Sequence, residues 1–303
     1  MIHNIFNSDK KFVVVGLGEL LWDILPSGKK LGGAPANFAF HANSLGAIGL
    51  IVSSVGSDNL GDEIVTTLRE LQLETKFIQR DEKHSTGTVK VNLDIAGIPT
   101  YRINTDVAWD NISFTDSIGE LSLKCDAICF GSLAQRSVIS QQTIQSFLKH
   151  ASSNCLKIFD VNLRQEFFTR EIIKQSIESS DCLKLNKNEL PIIAEMLSIV
   201  GNENEIIHYL IKEYKLKIVA LTKGEKGSLL VTQKESSELV PDTIEIVDTV
   251  GAGDAFTAGM TVGILNGLPL IEIHKLANRI ASYVCTQSGA TPRLGAELIS
   301  SIK

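Results

Sequence analysis

Short apolar runs alternate with helix-length segments along most of this 303-residue chain, and that alternation limits the folds open to it. A helix between two strands carries the chain back to the same edge of the sheet, so the strands run parallel. The apolar runs predict strands over residues 12–15, 50–55, 127–130, 156–161, 182–185, 217–221 and 228–232. The intervening segments predict a helix ending near residue 71 and helices over 38–45, 140–151, 170–179, 254–265 and 270–286. We therefore predict a doubly wound, mostly parallel α/β sheet flanked by helices.

A different pattern, in which apolar and polar residues alternate, interrupts this arrangement between residues 84 and 110. Alternation on both sides of the Gly-Ile-Pro turn at 97–99 predicts a β-hairpin with one packed face and one solvated face. We interpret 84–110, together with about 20–31, as a small β-sheet lid inserted in a single domain that spans 1–303. Such a lid shuts water out of a ligand site, and its apolar face is also a candidate surface for a homodimer.

Residues 248–259, Asp-Thr-Val-Gly-Ala-Gly-Asp-Ala-Phe-Thr-Ala-Gly, place a glycine-rich turn just before a predicted helix. Gly251, Ala252 and Gly253 carry almost no side chain, so their backbone N–H groups can contact an anion at the positive end of the helix dipole. Asp254 lies in the first helical turn. A carboxylate there serves either as the general base for a hydroxyl that attacks a phosphoryl group or as a simple helix cap. The stretch predicts an anion site and leaves both roles of Asp254 open.

A second glycine-rich turn, at residues 32–37, also leads into a predicted helix. Gly33 lets a ligand approach the backbone, and Asn37 offers a donor and acceptors to a sugar hydroxyl. Asp23 follows the first strand, at the edge where open α/β sheets bind ligands. A plain strand-to-helix turn and a solvated loop aspartate are the alternative interpretations.

Polar residues also follow three later strands. Arg164 is suited to bind a phosphate or a sugar oxygen. Asn186 and Glu189 are suited to water-mediated Mg²⁺ binding, although an Asn at a helix start with a Glu three residues later is also the arrangement of a helix cap. The glycine-containing loop at 222–227 is suited to the phosphates or ribose of a nucleotide, with a plain hairpin turn as the alternative.

Composition and motifs exclude several classes of protein. A net charge of −6 and a pI of about 5.6 give no broad basic surface for nucleic acid or an anionic membrane. The apolar runs are too short to cross a bilayer and the N-terminus lacks a signal-peptide pattern, so we expect a cytoplasmic protein. The Gly-Leu-Gly at 16–18 lacks the third small residue and the following helix of a dinucleotide fingerprint, and the chain contains no P-loop motif. Five cysteines without a CxxC pair predict reduced core thiols.

The two glycine-rich stretches occur in the order found in the ribokinase-like (PfkB-type) carbohydrate kinases, and the chain resembles this family over nearly its whole length. Residues 18–26 followed by 32–37 look most like bacterial fructokinases. Val161 departs from the Asp-Pro-Asn-Leu-Arg form common there, and Lys223 is a less usual neighbour for Thr222. Neither departure touches the residues expected to perform the chemistry.

The resemblance implies an ATP-dependent kinase that transfers the γ-phosphoryl group to a primary hydroxyl of a sugar. D-fructose is the expected acceptor, and fructose 6-phosphate is the expected product. A different acceptor, such as ribose, 2-keto-3-deoxygluconate, another sugar acid or a nucleoside, leaves the chemistry unchanged. A non-catalytic sugar-binding regulator on the same fold and a purely structural protein are the remaining alternatives.

The resemblance also implies roles for individual residues. Asp254 is expected to be the base, in an anion hole formed by Gly251, Ala252 and Gly253. Sugar contacts are expected from Asp23, Gly33, Asn37 and Arg164. Contacts to Mg·ATP are expected from Asn186, Glu189, Thr222, Gly224, Gly227 and Asn278. The implied metal-binding residues are Glu189, for Mg²⁺, and Asp248, which with Ser288 and Gly289 is a candidate for potassium held largely by backbone carbonyls.

Overall fold

The computed structural model describes residues 11–25, 28–93 and 99–295. The strands of these residues are β1 (Val13–Leu17), β2 (Leu21–Leu25), β3 (Gly28–Gly32), β4 (Ile48–Gly56), β5 (Ile78–Asp81), β6 (Gly87–Leu93), β7 (Pro99–Ile103), β8 (Ala127–Phe130), β9 (Leu156–Asp160), β10 (Cys182–Asn186), β11 (Ile218–Thr222), β12 (Ser228–Val231) and β13 (Ser236–Leu239). The helices are α1 (Ala34–Ser44), α2 (Asn59–Glu70), α3 (Asp116–Lys124), α4 (Val138–His150), α5 (Arg170–Glu178), α6 (Glu189–Leu197), α7 (Glu203–Tyr214), α8 (Ala252–Leu265) and α9 (Leu270–Cys285). Short 3₁₀ helices lie at Ala108–Asn111, Leu133–Arg136 and Gly224–Lys226.

The main sheet has nine strands in the order β13-β12-β11-β10-β9-β8-β1-β4-β5. The seven strands from β11 to β5 in that order are parallel to their neighbours. Strands β12 and β13 extend one edge in antiparallel fashion. The predicted doubly wound, mostly parallel sheet is therefore confirmed.

Helices cover both faces of this sheet, so the side chains on both faces of its strands are buried, as strand β8 illustrates. Its residues Ile128 and Phe130 belong to the buried cluster that includes side chains of α3 to α7. The intervening Ala127 and Cys129 belong to the cluster built with α1, α8 and α9. A strand that is buried on both faces has no solvated side, which is why these strands are nearly continuous apolar runs.

A second, smaller sheet forms the lid, with its strands in the order β3-β2-β6-β7. Strand β2 pairs antiparallel with β3 and parallel with β6, and β6 pairs antiparallel with β7. The register places Asp23 opposite Lys30 and Val89, and Val89 opposite Ile103, so these four side chains share one face. Val89 and Ile103 are buried in the main core, so this face packs on the main sheet, as the alternating pattern predicts. Residues 97–98 of the predicted turn lie outside the described residues.

Several helix boundaries differ from the prediction for identifiable reasons. Helix α8 begins at Ala252 rather than at residue 254, because Gly251 has a left-handed φ of 79° and ends the turn as the N-cap. Helix α1 begins at Ala34, with a proline in its first turn, rather than at residue 38. Helices α3, α6 and α7 were not predicted. The first two have nine residues each, and such short helices depend on tertiary packing more than on local propensity. Helix α7 has twelve residues and begins with a capping box between Asn202 and Glu205, which is a usable sequence signal.

Two findings bear on expectations from composition. Among the described residues, no helix combines the length and apolar composition needed to cross a membrane. All five cysteines are free thiols, four of them buried and Cys285 partly buried.

Candidate active site

The glycine-rich turn at the start of α8 requires a glycine at residue 251. Gly251 lies in the left-handed region, and a Cβ placed there would lie 2.7 Å from the Cα of Ala290. The turn therefore places Ala252, Gly253 and Asp254 in the first helical turn, where backbone N–H groups have no partner within the helix. The N–H of Ala252 donates to the carbonyl oxygen of Thr249 at 3.3 Å. Binding of an anion at this turn stays a prediction.

The carboxylate of Asp254 is held by the second glycine-rich stretch. The side chain of Asn37, on α1, donates a hydrogen bond of 2.8 Å from Nδ2 to Oδ2 of Asp254. Burial raises the pKa of Asp254 to about 6, the negative charge of Asp160 adds to the rise, and the bond from Asn37 opposes it. The structure thus brings together two predicted site residues that are 217 positions apart in the sequence.

A buried ion pair lies beneath the first turn of α8, and it was not predicted from the sequence. Lys184, on β10, donates a 2.9 Å bond from Nζ to Oδ1 of Asp160, and the hydroxyl of Thr257 donates a 2.9 Å bond to Oδ2. A Cβ on Gly253 would lie 2.9 Å from the same Nζ, so the ammonium lies against the glycine turn. Although burial alone would lower the pKa of Lys184, the surrounding carboxylates, Asp160 first, outweigh it and raise the pKa. The positive charge is therefore retained at this position.

A second buried carboxylate, that of Glu19, lies at the end of β1. Its side chain is 3% exposed, and its Oε2 has no hydrogen-bond partner among the described residues. Burial raises the pKa of Glu19 to about 7, and the charge of Asp254 contributes to the rise. A Cβ on Gly33, whose φ is 117°, would lie 2.4 Å from the carbonyl oxygen of Glu19. Gly33 is therefore required for close packing of backbone on backbone, and its predicted contact with a sugar stays a prediction.

Asp23 and Arg164 lie at the lid side of the same cleft. Burial raises the pKa of Asp23 to about 6, while the positive charges of Arg164 and Lys30 oppose the rise. The charge of Arg164 also lowers the pKa values of Glu19 and Asp254. One exposed guanidinium is thus within electrostatic reach of three carboxylates at this edge of the sheet.

Asn186 and Glu189 form the reciprocal bonds of a helix cap. Glu189 accepts N–H bonds of 2.8 Å from Asn186 and 2.9 Å from Leu163, one on each carboxylate oxygen. Asn186 Oδ1 in turn accepts the Glu189 N–H at 3.1 Å. Among the described residues no group of three or more His, Cys, Asp or Glu side chains could hold a metal ion. Contact with Mg²⁺ through water, which this ion often keeps in proteins, is the mode that these occupied oxygens fit.

The predicted nucleotide loop joins β11 to β12, next to Asn186. Thr222 ends β11 and lies directly opposite Asn186 in the pairing with β10. Gly224 and Gly227 both have positive φ, of 63° and 95°. A Cβ on Gly227 would lie 2.0 Å from the carbonyl oxygen of Leu239, whereas one on Gly224 meets no described atom within 4 Å. Packing therefore requires the second glycine, and the first leaves the loop open to a ligand.

A chain of hydrogen bonds behind this loop ends at Asn278. The hydroxyl of Ser228 donates a 2.7 Å hydrogen bond to Oδ1 of Asn278. The hydroxyl oxygen therefore accepts a hydrogen bond from Nε2–H of His274, 2.8 Å away. His274 Nδ1 then accepts the hydroxyl of Ser237, also at 2.8 Å. Burial lowers the pKa of His274 to about 4, so the ring is neutral at physiological pH. With its oxygen engaged, Asn278 keeps two amide N–H donors that have no partner in the part of the chain that the structure describes and that a ligand could accept.

Asp248 connects the turn before α8 to the loop that follows α9. Its two carboxylate oxygens accept backbone N–H bonds of 3.0 Å from Val250 and from Gly289. Lys30, on lid strand β3, places Nζ 3.3 Å from Oδ2 of Asp248 and 3.4 Å from Oγ of Ser288. These bonds lower the pKa of Asp248 although its partial burial would raise it. The predicted potassium-binding residues are thus brought together around a lysine that was not predicted.

Fold and site together define a small sheet beside the carboxyl edge of a parallel α/β domain, with a glycine-rich helix N-terminus and a carboxylate in its first turn. The model of the pfkB family carbohydrate kinases matches residues 27–295. The chain belongs to this family of carbohydrate kinases.

Three relatives match over nearly the whole chain. The chain is 31% identical to sugar kinase PH1459 of Pyrococcus horikoshii, covering 93% of both proteins. It is 29% identical to an ATP-dependent 6-phosphofructokinase of Thermoanaerobacterium thermosaccharolyticum, covering 93% of this chain and 90% of the relative. It is 28% identical to a fructokinase of Escherichia coli, covering 92% and 94%.

Solved structures show the same fold. The crystal structure of PH1459 in complex with ATP matches with a TM-score of 0.80 and 30% identity, over 92% of this chain and 94% of that one. A double-mutant fructokinase of Vibrio cholerae, in a form with fructose, ADP and potassium ion bound, matches with a TM-score of 0.80 over 98% and 99%. Its identity is 22%, so this second likeness concerns the fold alone.

Proposed function

We propose that this protein transfers the γ-phosphoryl group of Mg·ATP to a primary hydroxyl of a sugar, and that its acceptor is D-fructose, phosphorylated at carbon 6. The observation that carries the proposal is the Asp254 carboxylate, held by Asn37 in the first turn of α8, immediately after the Gly251 turn. With a pKa of about 6 this carboxylate is mostly ionised at neutral pH and can accept a proton from a hydroxyl.

In the proposed transfer, Asp254 orients the acceptor hydroxyl and takes its proton. The acceptor oxygen forms a bond to the γ-phosphorus while the bond from phosphorus to the leaving ADP oxygen breaks, so that ADP and the sugar phosphate are the products. General base catalysis of this kind contributes roughly 10²–10⁴-fold. Asp254 is only partly buried in this structure, so exclusion of competing water from the proton-transfer path would depend on the bound substrates and the lid.

The charge that spreads onto the transferring phosphoryl oxygens faces the first turn of α8. Backbone N–H groups of this turn stabilise that charge, and the Lys184 ammonium lies directly beneath them. Such preorganised electrostatic stabilisation is usually the largest single contribution to catalysis. Asn186 and Glu189 would hold Mg²⁺ through water, and the bound ion would neutralise phosphate charge.

The charges at the acceptor end of the cleft favour a neutral sugar. Asp23 and Glu19 are carboxyl groups that accept hydrogen bonds from hydroxyls when ionised. Their charges, opposed by those of Arg164 and Lys30, disfavour a second phosphate group. This argues for fructose over the phosphorylated acceptor named for one of the relatives. The resemblance of residues 18–26 and 32–37 to bacterial fructokinases supports the same choice.

A panel of acceptors tests the proposal. ADP release from Mg·ATP is measured with fructose, fructose 6-phosphate, ribose, 2-keto-3-deoxygluconate, glucose and adenosine, beside the variant Asp254→Ala. We expect fructose to give the highest kcat/KM and the variant to abolish the signal. Preference for another acceptor would contradict the choice of sugar alone. Binding of sugar without turnover of any acceptor would instead support a non-catalytic regulator.

We also propose that two copies associate through the lid, whose edge strands β3 and β7 each have one side without a strand partner among the described residues. Its apolar face is buried in the protein's own core and is not the contact surface. Light scattering of the purified protein tests this idea. A monomer mass at micromolar concentration would contradict it.

A further inference from the structure

One lysine of the lid contacts two separate segments that support the anion site. Lys30 projects from β3, and its Nζ lies 3.3 Å from Oδ2 of Asp248 and 3.4 Å from Oγ of Ser288. Asp248 precedes the Gly251 turn by three residues, and Ser288 belongs to the loop after α9. The Asp248 carboxylate holds these segments together, because it accepts N–H bonds from Val250 and Gly289. The lid thus contacts the base of the anion hole through a single positive charge.

The electrostatics of this position require a cation. An ionised Asp248 three residues before the anion hole repels the negative charge that a phosphoryl group brings there. A positive charge bound to the carboxylate cancels much of that repulsion. In the Vibrio cholerae fructokinase a potassium ion is present with fructose and ADP, and Asp248, Ser288 and Gly289 are the residues expected to hold such an ion here.

The described residues do not fit a potassium ion bound to those same oxygens. A potassium ion on Asp248 Oδ2 and Ser288 Oγ would lie against the Lys30 ammonium, and like charges in contact repel strongly. A neighbouring carbonyl is also engaged, because His41 donates from Nε2 to the oxygen of Ala290 at 2.8 Å. Protein sites for potassium are built from such oxygens.

We propose that Lys30 is a tethered cation that replaces a monovalent metal ion at Asp248 and Ser288, so that the lid itself supplies the charge that supports the anion hole. This inference rests on the proposed kinase function. Its consequence is that turnover does not depend on potassium, and that anion-hole support depends on the position of the lid.

The neighbouring lysine provides a matched control. Lys29 has the same charge and a similar exposed fraction, 36% against 41% for Lys30. It lies on the opposite face of β3, where it pairs with Glu63 of α2. Because alternate residues of a strand face opposite sides, replacement of Lys29 removes a lid charge without touching Asp248.

The experiment measures kcat of wild type, Lys30→Met and Lys29→Met in a potassium-free buffer that contains lithium chloride. The measurement is then repeated with potassium chloride in place of lithium chloride at the same ionic strength. We expect wild type and Lys29→Met to be insensitive to the exchange. In Lys30→Met, kcat should fall on the order of fivefold, which corresponds to the free energy of one partly exposed ion pair. Potassium should restore part of the lost rate. Lys30→Arg should retain most of the wild-type rate.

Thermal unfolding of the same three proteins gives a second readout that needs no turnover. Potassium should raise the Tm of Lys30→Met relative to lithium, and it should leave the Tm of wild type and Lys29→Met unchanged. Activation of wild type by potassium would overturn the proposal, as would identical behaviour of the two methionine variants in both assays. Absence of ATP turnover by wild type with every acceptor would refute the kinase function instead, and the Tm comparison would still test the cation.

Discussion

Removal of the Lys184 ammonium should lower both the free energy of unfolding and the rate of turnover. In Lys184→Met the carboxylate of Asp160 stays buried, since its side chain is 5% exposed. Among the described residues, the hydroxyl of Thr257 is the hydrogen-bond donor that this carboxylate keeps. Breaking a buried ion pair in this way costs about 3–5 kcal/mol of unfolding free energy, because one charge is left uncompensated. The same variant also removes the positive charge beneath the glycine turn of α8.

The double variant Lys184→Met/Asp160→Asn distinguishes these two effects. It removes both charges and so leaves no uncompensated buried charge, although the amide of the new asparagine stays buried and polar. We therefore expect the double variant to unfold at a urea midpoint clearly above that of Lys184→Met. Its kcat should nevertheless stay roughly tenfold or more below wild type, less than the cost of losing a direct anion-hole donor, because the ammonium lies beneath the turn and donates to Asp160.

Urea unfolding and ADP release at saturating Mg·ATP measure the two quantities. Lys217→Met is the matched control, because Lys217 forms a 2.9 Å pair with Asp181 but is 62% exposed. Removal of this exposed pair should cost less than about 1 kcal/mol and leave kcat unchanged. Recovery of wild-type turnover in the double variant would refute the catalytic role of Lys184. A wild-type urea midpoint for Lys184→Met would refute the buried-pair argument.

Three further predictions concern single side chains. Since the base must be ionised, kcat/KM of wild type should rise with pH through about 6, the pKa of Asp254. Asn37→Ala removes the hydrogen bond that lowers this pKa, so the midpoint of its pH profile should move upward. A pH profile of Asn37→Ala identical to that of wild type would contradict the assignment of the base. Glu19 has a folded-state pKa of about 7, above its ordinary value of about 4.5, so its ionisation opposes folding as the pH rises between these values. Glu19→Gln should therefore have a higher free energy of unfolding than wild type at pH 8, by a few kcal/mol at most, but not at pH 4. Equal urea midpoints of the two proteins at pH 8 would contradict this. Ser237→Ala should raise the KM for ATP roughly two- to tenfold by loosening the chain that orients Asn278, with the acceptor KM unchanged; parallel changes in both KM values would indicate a merely structural role.

The residues that perform the proposed chemistry were largely identifiable from short-range patterns. Glycines just before a helix and an aspartate in its first turn predict an anion site with a carboxylate, because the N–H groups of a first turn have no partners in the helix. The Lys184 ion pair was missed, although one charged residue within the apolar run 182–186 is a usable signal. A buried lysine in a strand requires an acidic partner, and here that partner is on the neighbouring strand.

Long-range pairings could not be predicted in this way. Glu19 directly follows the Gly-Leu-Gly segment at 16–18, and nothing local reveals that its carboxylate is buried near Asp254. The Asn186 and Glu189 spacing fits both a helix cap and a metal site, and the structure shows the bonds of the cap. Local spacing determines which hydrogen bonds are possible, whereas burial determines which of them form.

The sequence alone determined the parallel α/β class and the two glycine-rich turns, because hydrophobic period and glycine's freedom at positive φ act over a few residues. Only the tertiary structure decided that Asn37 meets Asp254, that Lys184 lies under the glycine turn, and that Lys30 reaches Asp248 from the lid. Each of these contacts joins segments whose proximity depends on strand order and on the register of two sheets. No local pattern encodes that order, since it results from packing apolar faces across the whole domain.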